Sequence, residues 1–98
     1  MRISVVVNTK NEGRTLDRCL ASAAWADEIV VLDMSSDDET VAVARKYTEK
    51  VFSCPDFGYV EPARNLAISH ATGDWVFLLD ADEVVPARLA AGIRKIIA

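Results

Sequence analysis

Gly73-Asp74-Trp75-Val76-Phe77-Leu78-Leu79-Asp80-Ala81-Asp82-Glu83 is the stretch on which the fold turns. The run Trp75–Leu79 is wholly apolar and reads as a buried strand. Gly73 is placed to stop the helix before it. The strand then meets two carboxylates separated by one residue. A strand apolar on both faces belongs to a parallel sheet covered by helices.

Three more strands lie upstream. Ile3–Asn8 is β-branched and apolar, and Glu28–Asp33 repeats the pattern. Lys50–Cys54 is a short third strand ended by Pro55, followed by a loop over Asp56–Tyr59 that contains Gly58. Helical spacing separates the strands. Leu16, Cys19, Leu20, Ala23 and Ala24 predict a helix over about residues 13–24. Ser36 followed by Glu39 forms a capping-box pattern, with Thr40, Val43, Ala44 and Tyr47 as the inner stripe of the helix it opens. Pro62 suits the first turn of a third helix, running to about Ala71. Pro86 opens a fourth, with Leu89, Ile93, Ile96 and Ile97 facing inward.

Four β-α units in 98 residues predict one α/β domain spanning 1–98. Its architecture is Rossmann-like: three α/β/α layers around a parallel sheet of about four strands in the order 3-2-1-4. The order reverses between strands 1 and 4. Ligands in such sheets bind beyond the carboxyl ends of the strands at that reversal. The site is therefore expected among Asn8–Glu12, Asp33–Asp38 and Asp80–Glu83.

Composition narrows the function. Eleven Lys and Arg against fifteen Asp and Glu give a net charge of −4, so there is no basic face for nucleic acid. No apolar run is long enough for a membrane helix, and none has the form of a signal peptide, so a cytoplasmic protein is expected. Cys19 and Cys54 lack the spacing of a metal or redox motif and are expected to be free and buried. No glycine-rich phosphate loop follows strand 1, which disfavours a dinucleotide site or a P-loop.

Asp80 and Asp82 sit where a strand ends and can be held near one hard cation. Mg²⁺ or Mn²⁺ takes few oxygens from protein and the rest from phosphate and water. Read alone, a polar strand end is the stronger reading, with Asp82 or Glu83 favouring the next helix N-terminus. Asp33 could accept a hydrogen bond from a base or ribose, or simply end its strand in a turn. Ser36, Asp38 and Thr40 read as capping groups. Asn11 could cap the first helix, and Glu12 could reach a nucleoside. Arg64 lies in the first half of the third helix, either near the site mouth or in solvent. His70 reads as a cap or surface residue, and Trp25 and Trp75 as packing aromatics.

Taken together, Val5-Val6-Val7-Asn8-Thr9-Lys10-Asn11-Glu12, Asp33 to Thr40, Ala63-Arg64-Asn65-Leu66-Ala67 and Gly73 to Glu83 resemble the inverting family 2 glycosyltransferases of GT-A fold. The order and spacing of the four motifs match that family along nearly the whole chain. The Asp27 to Asp33 and Gly73 to Glu83 phrasing is similar to the bacterial branch that adds glucose to the lipopolysaccharide inner core. The resemblance implies a donor-binding half that holds a nucleoside diphosphate sugar, UDP-sugar favoured, with Mg²⁺ or Mn²⁺. It implies that Thr9, Asn11, Glu12 and Asp33 line the nucleoside, with Arg64 near the base or diphosphate. Asp80 and Ala81 would lie by the ribose, Asp80 also by the metal, and Asp82 on the metal directly. Asn8 stands where a proline is common, Lys10 where an aromatic is common, and Met34-Ser35 where a Ser-Gly pair is common.

Members of that family are more than twice as long. No Asp or Glu follows Glu83 here, so the catalytic base is expected beyond Ala98. The expectation is thus a partial GT-A fold without its acceptor half, inactive alone. Its place is the cytoplasm, at the inner face of the membrane. The apolar edge of the fourth strand would pair with a second copy. A non-catalytic nucleotide-binding or assembly module is the alternative. A phosphohydrolase of the haloacid dehalogenase type would need an aspartate at Asn8.

Overall fold

The computed structural model describes residues 1–58 and 61–97. Its elements alternate: β1 (Ile3–Thr9), α1 (Gly13–Ser22), β2 (Glu28–Asp33), α2 (Thr40–Ala44), β3 (Val51–Ser53), α3 (Glu61–Ser69), β4 (Trp75–Asp80) and α4 (Ala87–Ile97). The strands form one parallel sheet in the order β3-β2-β1-β4, as the alternation predicts. Tyr59, the expected end of the loop after β3, lies outside the described residues.

The register brings the strand ends level. Thr9 of β1 sits beside Asp33 of β2, and Asn8 sits between Leu32 of β2 and Asp80 of β4. One face of the sheet, with Val5, Val7, Ile29, Val31 and Leu79, packs against Leu16, Cys19 and Leu20 of α1, Val43 and Ala44 of α2, and Ala90 of α4. Leu16 and Leu20 are fully buried, and each such side chain stabilises by about 1.5–3 kcal/mol. The other face is thinner. Val6, Val30 and Leu32 meet Ala63 and Ala67 of α3. Small alanines let that helix lie close across β1 and β2.

Four local expectations need correction. The Ser36–Glu39 capping box does not form: α2 begins after Glu39 without a side-chain cap there. Asp38 does that work, accepting a bond from the Thr40 amide at 2.9 Å, while Ser36 turns back to Asp33. Gly73 is not the cap of α3, which ends four residues earlier. It is a site of close approach instead. Its amide donates to Ser4 Oγ at 2.9 Å, and a Cβ would stand 2.6 Å from that oxygen. Leu89 and Ile96 face outward, not inward, at 47% and 78% exposure. The buried stripe of α4 runs through Ala90 and Ile97, and Leu89 and Ile96 lie off that stripe. Finally, β4 is buried chiefly through Leu79, while Trp75, Val76 and Leu78 are exposed.

Candidate functional site

The three predicted loops meet at the carboxyl end of the sheet. The loops after β1 and β2 are laced together by their own polar groups. The Met34 amide donates to the Thr9 carbonyl at 2.8 Å. Asn11 adopts φ 51°, a left-handed conformation that asparagine tolerates better than most residues. This lets its amide donate to Ser36 Oγ at 2.8 Å, while its Oδ1 accepts from the Asp37 amide at 2.7 Å. Asn11 therefore clamps two loops rather than capping α1, whose N-cap position is Glu12. Glu12 and Gly13 are fixed through their amides to Thr40 Oγ1 at 3.1 Å and Asp38 Oδ2 at 3.3 Å. The bonds from Thr40, ahead of the opposing cost of desolvation, hold the Asp38 carboxyl below its ordinary range.

Asp33 is 3% exposed. Its Oδ2 accepts from the Ser36 amide at 2.9 Å, and its Oδ1 accepts from the Ser36 hydroxyl. Each carboxylate oxygen retains capacity for one more donor. Beside it, Thr9 Oγ1 and Asn8 Nδ2 are buried without a hydrogen-bond partner among the described residues. Unpaired buried polar atoms are costly, about 1–3 kcal/mol each. Both belong to the end of β1, between the two acidic strand ends. Asn8 opens the expected region Asn8–Glu12, although its sequence context assigns its side chain no ligand role.

On the far side, the Asp80–Glu83 turn closes on itself. The Asp80 amide donates to Glu83 Oε1 at 2.9 Å, and the Glu83 amide donates to the Asp80 carbonyl at 2.9 Å. Ala81 buries its methyl in the core, leaving Asp80 and Asp82 exposed. The Cys19 thiol donates to the same Asp80 carbonyl at 3.4 Å. Burial pushes that thiol up to about 12, with the charges of Glu83, Asp82 and Asp80 adding to the effect. Both cysteines are free and buried, as expected. Lys10 pairs with Asp56 across the outer rim, an exposed bridge that raises the lysine and lowers the aspartate. Arg64 is half-buried near the start of α3, with no ion-pair partner among the described residues. The structure thus groups Thr9, Asn11, Glu12 and Asp33 tightly, while Asp80, Ala81 and Asp82 stand on the neighbouring strand end.

Among the described residues, no three His, Cys, Asp or Glu side chains are gathered as a closed metal cage. No helix there is long and apolar enough to cross a membrane. The cleft of about 390 Å³ bounded by Arg2, Asp27, Glu28 and Lys50 involves the opposite, amino-terminal ends of β1 and β2.

The chain is similar to known proteins in sequence and fold. The uncharacterized glycosyltransferase RC0292 of Rickettsia conorii is 39% identical over 98 residues, covering 99% of this chain and 34% of the relative. The crystal structure of S. aureus TarS 1–349 superposes with a TM-score of 0.87 at 29% identity, over 99% of this chain and 32% of that one. TarS has also been solved with UDP and with UDP-GlcNAc. The mannosyltransferase PcManGT of Pyrobaculum calidifontis, solved with GDP-Man and Mn²⁺, superposes at 0.73 with 31% identity, over 89% and 29% of the two chains. The chain spans about a third of the length of these relatives. The model of the family described as glycosyl transferase family 2 matches residues 4–96, nearly the full parallel sheet and its helices. The chain belongs to glycosyl transferase family 2.

Proposed function

We propose that residues 1–98 form the nucleotide-sugar-binding domain of a glycosyltransferase, holding a nucleoside diphosphate sugar at the switch point between β1 and β4. The observation that carries this reading is the convergence of Asp33 and Asp80 on either side of the end of β1. A UDP-sugar is favoured because TarS, alike along 99% of this chain, has been solved with UDP-GlcNAc. In this assignment Thr9, Asn11, Glu12 and Asp33 line the nucleoside. Arg64 serves the base or diphosphate, and Asp80 with the Ala81 backbone lies by the ribose.

The proposal includes Mg²⁺ or Mn²⁺ on Asp82, with Asp80 adjoining. The donor set fits such an ion. Two exposed carboxylates supply hard oxygens, and the absence of a closed cage among the described residues leaves positions for diphosphate and water. PcManGT offers a precedent with Mn²⁺ and GDP-Man. When bound, the cation neutralises charge on the departing nucleoside diphosphate. The chain's own part is to bind and orient the donor. Proton abstraction from an acceptor is assigned outside this segment, so the segment alone transfers no sugar. Cell-surface polysaccharide or lipopolysaccharide synthesis at the cytoplasmic face of the membrane is the proposed setting.

Calorimetric titration of UDP with and without Mn²⁺ tests this. Binding is expected to be tighter with the metal, and Asp82→Ala to lose that increment while keeping the metal-free affinity. Equal affinity of Asp82→Ala and wild type in Mn²⁺ would remove the metal role.

A further inference from the structure

We propose that Glu83 is a positioning residue for the Asp80-Ala81-Asp82 turn, setting the direction in which the two aspartates present their oxygens. The inference rests on the donor-binding reading above and adds to it a residue outside the proposed ligand set. Its basis is the pair of reciprocal bonds at 2.9 Å, amide of Asp80 to carboxylate of Glu83 and amide of Glu83 to carbonyl of Asp80. Together they close the turn in both directions.

The inner side of this turn is already fastened to α1. The Cys19 thiol reaches the Asp80 carbonyl, the Ala81 methyl is packed in the core, and the Val85 amide donates to Ser22 Oγ at 2.9 Å. Glu83 is the brace on the exposed side. Among the described residues β4 has β1 along one side only, and a side-chain carboxylate takes the amide of its last residue. Holding a third carboxylate so close to Asp80 and Asp82 adds repulsion, and none of the three has an ion-pair partner among the described residues. The bond to Asp80 is the gain visible against that cost. Glutamate reaches back three residues; aspartate is one methylene shorter and does not. Glutamine keeps an Oε1 acceptor at the same reach without the charge.

The experiment is Mn²⁺ binding by the 98-residue chain in the presence of UDP, read from loss of the free-ion electron paramagnetic resonance signal. Glu83→Gln should remain within about threefold of wild type, while Glu83→Ala and Glu83→Asp weaken Mn²⁺ by about tenfold to a hundredfold, the range typical of groups that orient metal ligands. Glu83→Gln falling as far as Glu83→Ala would show that charge acts and the bond does not, overturning the proposal. Wild-type affinity in Glu83→Ala would overturn it too, whatever happens to thermal stability. Where Glu83→Ala fails to fold, Glu83→Asp against Glu83→Gln decides the same question. A wild-type chain that binds UDP without any Mn²⁺ dependence would overturn the metal assignment, and the positioning role with it.

Discussion

At 3% exposure and with two bonds from Ser36, Asp33 serves the loop before it serves any ligand. A carboxylate so oriented is ready to accept one further donor without reorganising. Asp33→Ala is therefore expected to weaken UDP binding about tenfold or more even in a metal chelator, since a hydrogen bond to a charged group contributes about 1.5–3 kcal/mol. It should also lower stability, because the Ser36 hydroxyl and amide lose their acceptor. Calorimetry and urea unfolding on the same samples separate the two effects. Unchanged UDP affinity in a folded Asp33→Ala chain would refute the ligand role. The acidic residues here were legible in the sequence because each ends an apolar strand. Ser36 and Glu83 were not, because their roles come from bonds that close turns and join loops, to Asp33 and Asn11 for Ser36 and to Asp80 for Glu83, which no spacing rule encodes. Ser35 shows the same limit. Its φ of 61° explains why glycine is common there, yet nothing in the run Met34-Ser35-Ser36 announces that the chain turns left-handed.

Elements were legible wherever a periodic pattern met one surface. β1 and β2 are buried on both faces, and α1 buries a clean stripe through Leu16, Cys19 and Leu20. Legibility failed where an element sits at an edge. The apolar side chains of α4 cover a wider arc than its buried stripe through Ala90 and Ile97, so periodicity alone turns Leu89 and Ile96 inward. Gly73 reads as a helix stop, but its bare Cα is needed against Ser4. The start of β2 carries a testable electrostatic feature of this kind. Glu28 accepts bonds from Ser4 and from the Thr72 amide at 2.7 and 2.8 Å and pairs with Lys50. Burial alone would raise its carboxyl; the Lys50, Thr72 and Ser4 contacts outweigh that and lower it from 4.5 to about 2. Folding thus favours the ionised form. The stability Glu28 contributes is complete above pH 4.5 and drains away as pH falls toward about 2. Glu28→Gln should cost about 1.5–3 kcal/mol near neutral pH. The gap from wild type should close in acid, as urea unfolding at stepped pH would show. A gap independent of pH would exclude the charged network as its source.

For the molecule as a whole, the sheet order follows from strand–helix alternation, crossover handedness and the doubly wound layout, and the structure has that order; the place of the site is the proposal built on it. Among the described residues β4 is an edge strand of the sheet. Trp75, Val76 and Leu78 are exposed on that strand, and Ile3, Trp75, Val76, Ile93, Ile96 and Ile97 line an apolar groove of about 180 Å³. An apolar edge strand invites pairing. The 98-residue chain is expected to self-associate there at micromolar concentration, most simply as a two-fold dimer. Sedimentation velocity would detect it, and a clean monomer across that range would contradict it. The central claim is the location of the donor at the carboxyl ends of β1, β2 and β4. It is tested most directly by following backbone amide resonances of the ¹⁵N-labelled chain while UDP and Mg²⁺ are added. The account predicts shifts concentrated in Asn8–Glu12, Asp33–Asp38 and Asp80–Glu83. Shifts centred instead on Arg2, Asp27 and Lys50, or no shifts at millimolar UDP, would contradict it.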